Sequence, residues 1–149
     1  MARDIPLTEI ILRKYEKPYS ADKREIVKKI CLSLGLLQPG DGRDVIIDIL
    51  SVLIHSQRSK EMVTSDEIKA RVEKIRSAGG FEMKGIAESN VRRQLKRLAD
   101  MMIIDKIENK YRLSEFETLG TIFHNKFEKF LIPQTIERIK EYLEEVNKI

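Results

Sequence analysis

The stretch Ile86–Leu113, IAESNVRRQLKRLADMMIIDKIENKYRL, changes its hydrophobic period partway along. With Ser89 at zero on a helical wheel, Val91, Leu95, Leu98 and Met102 fall at roughly 200°, 240°, 180° and 220°. That narrow apolar seam predicts a helix over 87–102, docked on a core along one side. The opposite face carries Ser89, Arg93, Lys96 and Asp100, with Arg92 on one edge and Asn90 and Arg97 on the other. After Met102, alternation takes over. Ile103, Asp105 and Ile107 share one parity, and Ile104, Lys106 and Glu108 the other. Lys110-Tyr111-Arg112-Leu113 alternates again, with Tyr111 and Leu113 on the buried side. Asn109 stands between the two runs and tolerates the positive φ that a tight tip needs. The reading is a two-stranded hairpin over 104–113 with Lys106, Lys110 and Arg112 on or near its exposed side.

The rest of the chain supports a folded, densely charged protein. It has 149 residues, 42% hydrophobic and 35% charged, long enough for a real core. The net charge of +4 biases it mildly toward anionic partners. The distribution says more than the total. Between Lys84 and Arg112 eight bases face four acids, whereas 115–149 holds seven acids against five bases. The single Cys31 excludes an internal disulfide framework and fits a reducing cytoplasm. MARDIPLTEI has no apolar run of signal-peptide length, and no stretch approaches the roughly 18 apolar residues of a membrane span. The expectation is a cytoplasmic protein with no membrane contact. Dense charge with few Asn, Gln and Cys leans toward a thermophile.

Taken in order, 1–42 reads as an N-terminal arm and a helix. The arm ends near Lys17-Pro18, because proline pushes its predecessor out of the helical region. We read it as packing on a partner subunit, with DNA contact through Arg13, Lys14 and Lys17 as the alternative. Ser20 is the expected N-cap of a helix with the stripe Ile26, Val27, Ile30, Cys31 and Leu34, closed by Gly35. Cys31 on that stripe reads as a buried structural thiol. Gln38-Pro39-Gly40-Asp41-Gly42 is a turn, with Asp41 expected to cap the next helix. The segment Arg43–Ser56 is apolar on most sides, as a central helix must be. Thr64-Ser65-Asp66-Glu67 has the form of a capping box, opening a helix with Ile68, Val72 and Ile75 inward and Gly79-Gly80 at its end. The connection GGFEMKG (79–85) is longer than the turn of about 3–4 residues in a minimal helix-turn-helix, and Phe81 and Met83 are expected to anchor it on the core. Past the hairpin, Ser114 is the expected cap of a helix bearing Phe116, Leu119, Phe123, Phe127 and Phe130, interrupted by Pro133. Ile136, Ile139, Leu143 and Val146 then come at helix–helix seam spacing.

GIAESNVRRQLKRLADMMII followed by DKIENKYRLS resembles the reading head of the winged helix-turn-helix transcriptional regulators of bacteria and archaea, broadly the MarR-like and ArsR-like kind. The likeness covers about Asp44 to Ser114. It implies a mainly α fold with a small β-hairpin: a winged-helix core over 43–114 with N-terminal and C-terminal helical extensions. It also implies a function, a regulator that reads double-stranded DNA. Base reading would fall to Ser89, Asn90, Arg93 and Lys96, since Arg pairs bidentately with guanine and Asn with adenine. Arg92, Arg97, Lys106, Lys110 and Arg112 would meet phosphates or the minor groove. Thr64 and Ser65, at a helix N-terminus, are expected to donate to a phosphate. A core of this size does not need the helices of 115–149 to close itself, so they are expected to form a homodimer interface through Phe123, Phe127, Phe130, Ile136, Ile139, Leu143 and Val146. An unidentified small-molecule effector, as regulators of this kind take, would fit between the C-terminal aromatic helix and the core, although those phenylalanines read more simply as core.

The alternative reading is a winged helix used as a protein–protein interaction module in a larger assembly. Its signature would be apolar side chains on the exposed helix face, which here is polar and basic. Catalysis is not expected: His55 and His124 are far apart, and the sequence shows no Gly-rich phosphate loop, metal-spaced Cys/His cluster or nucleophile elbow. No cofactor or metal is expected. Operator sequence and regulatory sign are not written in the residues.

Overall fold

The computed structural model describes residues 2–19 and 22–149. The chain is mainly helical with one small antiparallel sheet. Helix α1 spans Lys23–Ser33, α2 Val45–Arg58, α3 Ser65–Gly79 and α4 Glu88–Asp100. Strand β1, Val63–Thr64, precedes α3, while β2, Ile104–Ile107, and β3, Lys110–Leu113, follow α4. The sheet order is β1-β3-β2, with Val63 opposite Tyr111 and Asp105 opposite Arg112. Alternation foretold the hairpin but not β1, because two residues carry no period.

Helix α2 is the hub. Val45, Ile46, Ile47, Ile49, Leu50, Val52 and Leu53 are all buried, so the helix is wrapped on most sides as its composition requires. The buried apolar residues from Cys31 to Phe127 form a single cluster around it. Asp41 does not cap α2. Its carboxylate accepts from the Arg43 N–H at 2.9 Å, closing the turn before the helix.

The N-terminal side packs on the body rather than reaching out. Ser20 lies outside the described residues, and the N-cap of α1 is Asp22, whose side chain accepts from the Arg24 N–H at 3.0 Å. On the expected stripe, Cys31 and Leu34 are buried, while Ile26 and Ile30 lie at its exposed edge. Gly35 ends α1 at φ +73°, and a Cβ there would come within 2.5 Å of the Ile11 side chain. The arm crosses at that point. Arg13 donates to Leu32 O at 2.8 Å and Leu37 O at 3.2 Å, placing a guanidinium on the carbonyl end of the helix. Arg13 is therefore a helix-end clamp, and this part of the arm docks on its own chain.

Helix α3 opens as expected, with Thr64 Oγ1 accepting from the Glu67 N–H at 3.1 Å. One turn before its end the pattern departs. Ile75 is exposed, and the inward place belongs to Arg76. This guanidinium donates to Asp48 at 2.7 Å and Asp44 at 3.0 Å, and Arg24 pairs with the same two carboxylates. Phe81 anchors the 79–85 connection not on apolar core but against the Arg24 guanidinium, 4.0 Å from its ring centroid. Met83 is exposed.

Helix α4 ends at Asp100, short of the expected 102. Met102 adopts φ +66°, with its N–H on Ala99 O and that of Ile103 on Leu98 O, both at 3.0 Å. This is a Schellman closure with methionine in the place glycine usually fills. Met102 thus leaves the seam, and Ile103 beyond it is buried.

Ser114 is not a helix cap. Ser114–Phe116 make one 3-10 turn with Glu115 and Phe116 at positive φ, and the Phe116 ring lies 4.9 Å from the Arg112 guanidinium. Thr118 caps the last helix instead, accepting from the Thr121 N–H at 3.3 Å. That helix runs unbroken from α5, Leu119–Ile122, through a π-helical segment, Phe123–Leu131, into α6, Ile132–Val146. Pro133 does not interrupt it. The wider π turns, in which the Ile132 N–H bonds Phe127 O five residues back, lead into the proline, whose ring would crowd the carbonyl of Lys129 in an α turn. Phe127 is 1% exposed and so belongs to the chain's own core rather than to an interface between copies, and the half-buried Phe123 stacks on it at 5.3 Å. Beyond Ile132 the helix has no buried residue.

Candidate nucleic-acid interface

The face of α4 is set by what lies beneath it. Val91, Leu95 and Leu98 are fully buried, which turns Ser89, Arg92, Arg93 and Lys96 outward. The hairpin continues from the same helix. Its tip, Glu108-Asn109, places both residues at positive φ (49° and 67°), matching the right-handed twist of the strands. Glu108 adopts that conformation without the residue type that would have announced it. Tyr111 and Leu113 are buried as expected, and Lys106 and Lys110 are exposed.

Hydrogen bonds and ion pairs divide the expected contact residues into those held within the chain and those whose charge points outward unneutralised. Arg92 pairs with Glu88 at 2.6 Å and Lys96 with Asp100 at 2.9 Å, both on the exposed surface where such pairs break readily. Asn90 is more committed. Its amide donates to Gly85 O at 2.6 Å, while its carbonyl accepts from Arg93 at 2.5 Å and Gln94 at 3.3 Å. It ties the connection to the first turn of α4, and these bonds occupy the amide that an adenine contact would use. Arg97 is half-buried and braced, donating to Gln94 at 2.7 Å and to Gly35 O at 3.2 Å. Arg112 is the cross-strand partner of Asp105 at 3.0 Å, and Asp105 also accepts from the Glu115 N–H. Thr64 spends its hydroxyl on the cap, donating to Glu67 at 3.1 Å. Ser65 is half-buried at the start of α3. Arg93, Lys106 and Lys110 have no acidic partner among the described residues.

Sequence reading missed the Arg24–Asp44–Asp48–Arg76 cluster that fixes the connection and so the placement of α4. Asp48 is 0% exposed and Arg76 2%. Burial works against the Arg76 charge, but hydrogen bonds to Asp48 and Asp44 outweigh it and hold its pKa above the ordinary arginine value. One signal was available. A lone carboxylate inside the otherwise apolar face of α2 must find a cation, since an unpaired buried charge is prohibitive. Between α1, α2 and the π segment lies an apolar cavity of about 200 Å³, lined by Leu34, Leu50, Phe123 and Phe127 among others. Every lining side chain is apolar, so none offers the polar contact that fixes a ligand's orientation.

Among the described residues no helix is long and apolar enough to cross a membrane, and no cluster of three His, Cys, Asp or Glu side chains is placed to hold a metal ion. No family model matches the chain, and no curated protein or solved structure matches it.

Proposed function

We propose that this protein is a DNA-binding transcriptional regulator of the winged helix-turn-helix type, working as a homodimer. The element order α2-β1-α3-α4-β2-β3, with β1 closing the sheet against β3, supports that reading. Helix α4 would enter the major groove, and the short hairpin would touch the adjacent backbone. The observation that carries the proposal is the pairing of a fully buried seam on α4 with an outer surface where Arg93, Lys106 and Lys110 present unneutralised charge. Arg93 is the best-placed base reader, and the two lysines serve as phosphate contacts. The hairpin is too short to follow the minor groove far, so its share of the affinity is modest.

The test is fluorescence anisotropy of duplex DNA across a salt series, followed by selection from random sequence. The proposal expects log K to fall linearly with log salt, and Lys110→Ala to lower that slope by about one while weakening all sequences alike. Binding that ignores salt would favour the alternative of a protein-interaction module, for which the exposed hydrophobic side chains of α6 are the specific supporting observation.

A further inference from the structure

Beside α4 the surface opens into a cleft of about 440 Å³ between the helix and the 36–46 segment. Leu36, Leu37, Val45 and Ile46 back it but are almost wholly buried, so its accessible lining is mainly polar, with Arg43, Arg93 and Arg97 set against the single carboxylate of Asp41. Asn90, Gln94 and Arg97 lie on one edge of α4, roughly 100° to 140° round from Ser89 for the first two, while Arg92 occupies the other edge at about 300°. The cleft therefore flanks one side of the proposed reading face only. Arg97 is braced by Gln94 and Gly35 O, but Arg43 is exposed and has no acidic partner among the described residues. Arg93 bonds only the neutral Asn90 amide. Two unneutralised guanidinium groups thus share the rim of one concave site, where their fields add on an anion seated between them. The planar fork of arginine suits the oxygens of a phosphate better than a point charge does.

We propose that this cleft seats a phosphate of the DNA backbone, gripped by Arg43 from the 36–46 segment with the braced Arg97 of α4 on the opposite side, while Arg93 adds to the positive field at the rim and keeps its fork for a base. The proposal rests on the DNA-binding reading and adds to it a second point of attachment, outside the helix and hairpin. The segment before α2 then sets the register of α4 along the groove, because a backbone contact beside the reading helix fixes orientation.

The experiment measures duplex binding by anisotropy over a salt series for the full-length wild type, Arg43→Gln, Arg43→Lys and Asp41→Asn. Arg43→Gln is expected to lower the salt slope by about one and to weaken specific and random DNA alike. Arg43→Lys should restore the slope with incomplete recovery of affinity, because charge returns without the fork. Asp41→Asn should tighten binding. Circular dichroism melts confirm that the exposed Arg43 variants remain folded. A wild-type slope unchanged by Arg43→Gln overturns the cleft while leaving the DNA-binding reading intact, whereas absence of salt-dependent binding in the wild type removes both. Calorimetry with inorganic phosphate and no DNA covers the remaining source of the same chemistry. Heat that Arg43→Gln abolishes, with the DNA slope unaffected, would hand the cleft to a free phosphate and overturn the backbone assignment.

Discussion

Asn90 and Arg93 sit one turn apart and share a hydrogen bond, yet their other partners differ. Both read as groove contacts from residue type and position. The difference lies in Gly85 O, which accepts the Asn90 amide and which no helical wheel brings into view. Asn90→Ala should therefore cost about 1 kcal/mol of stability through the lost bonds to the connection. Arg93→Ala should leave the melting temperature near wild type, cost about 1–3 kcal/mol in binding and relax preference at one base pair. Denaturant titration beside binding to specific and random duplexes checks both. Equal loss on the two duplexes for Arg93→Ala would exclude base reading. Cys31, read from its stripe as a buried thiol, is fully buried, and burial pushes its pKa from the ordinary 9.0 up to about 12. The folded state holds this proton more tightly than the unfolded chain. The stabilisation is thus complete below about pH 9 and is lost as pH rises toward 12. Urea melts at pH 8 and pH 10 should show a smaller pH dependence in Cys31→Ala than in the wild type. At pH 8 the native thiol should react with a disulfide reagent only at the rate of opening.

Among the elements, those legible in the sequence are the ones stabilised by a periodic apolar face. The seam of α4, the all-round burial of α2, and Tyr111 and Leu113 on the hairpin emerge from spacing alone, because burial of those residues is what forms the elements. What escaped is decided by partners distant in sequence or by single polar atoms. Strand β1 exists because Val63 meets Tyr111, and the last helix begins at Thr118 rather than Ser114 because Ser114 is buried in a 3-10 turn. Arg76 took the place read for Ile75 because Asp48, 28 positions earlier, lies in reach. That cluster yields a prediction about element docking. Asp48→Ala takes from Arg76 its closest carboxylate, leaving it Asp44 alone, and should cost up to about 3–5 kcal/mol, the usual range for breaking a buried charge pair. Replacing both, as in Asp48→Leu with Arg76→Met, should recover most of that loss, because no buried charge then remains unpaired. Thermal melts of the single and double variants measure the coupling. If the two losses simply add, the pair is not the tie that holds α3 on α2.

At the scale of the whole molecule, the question is what covers α6. Its 15 residues include Ile136, Ile139, Leu143 and Val146, spaced 3, 4 and 3 apart and between 48% and 57% exposed, while Glu137, Glu141, Glu144 and Glu145 lie off that seam. A helix of this length is marginal in water without an apolar contact, and the π segment anchors only its first turn through Phe127. A second copy of the same seam would supply that contact, in an isologous pairing of the kind most homodimers use. The expected interface is narrower than the sequence reading, which also assigned it Phe123 and Phe127. It comprises Phe130, at the edge of the π segment, and the four seam residues of α6. Ile139→Asp with Leu143→Asp removes the seam from positions that are not buried in the chain itself. The variant should keep the wild-type melting temperature extrapolated to low protein concentration, yet sediment as a monomer where the wild type sediments as a dimer. Its affinity for a two-half-site operator should fall by about 10²-fold or more as the second half-site stops being an intramolecular event, whereas its affinity for an isolated half-site should not change. A wild type that sediments as a monomer at high micromolar concentration would exclude the pairing, and one-half-site recognition by α4 would then be all that the chain brings to DNA.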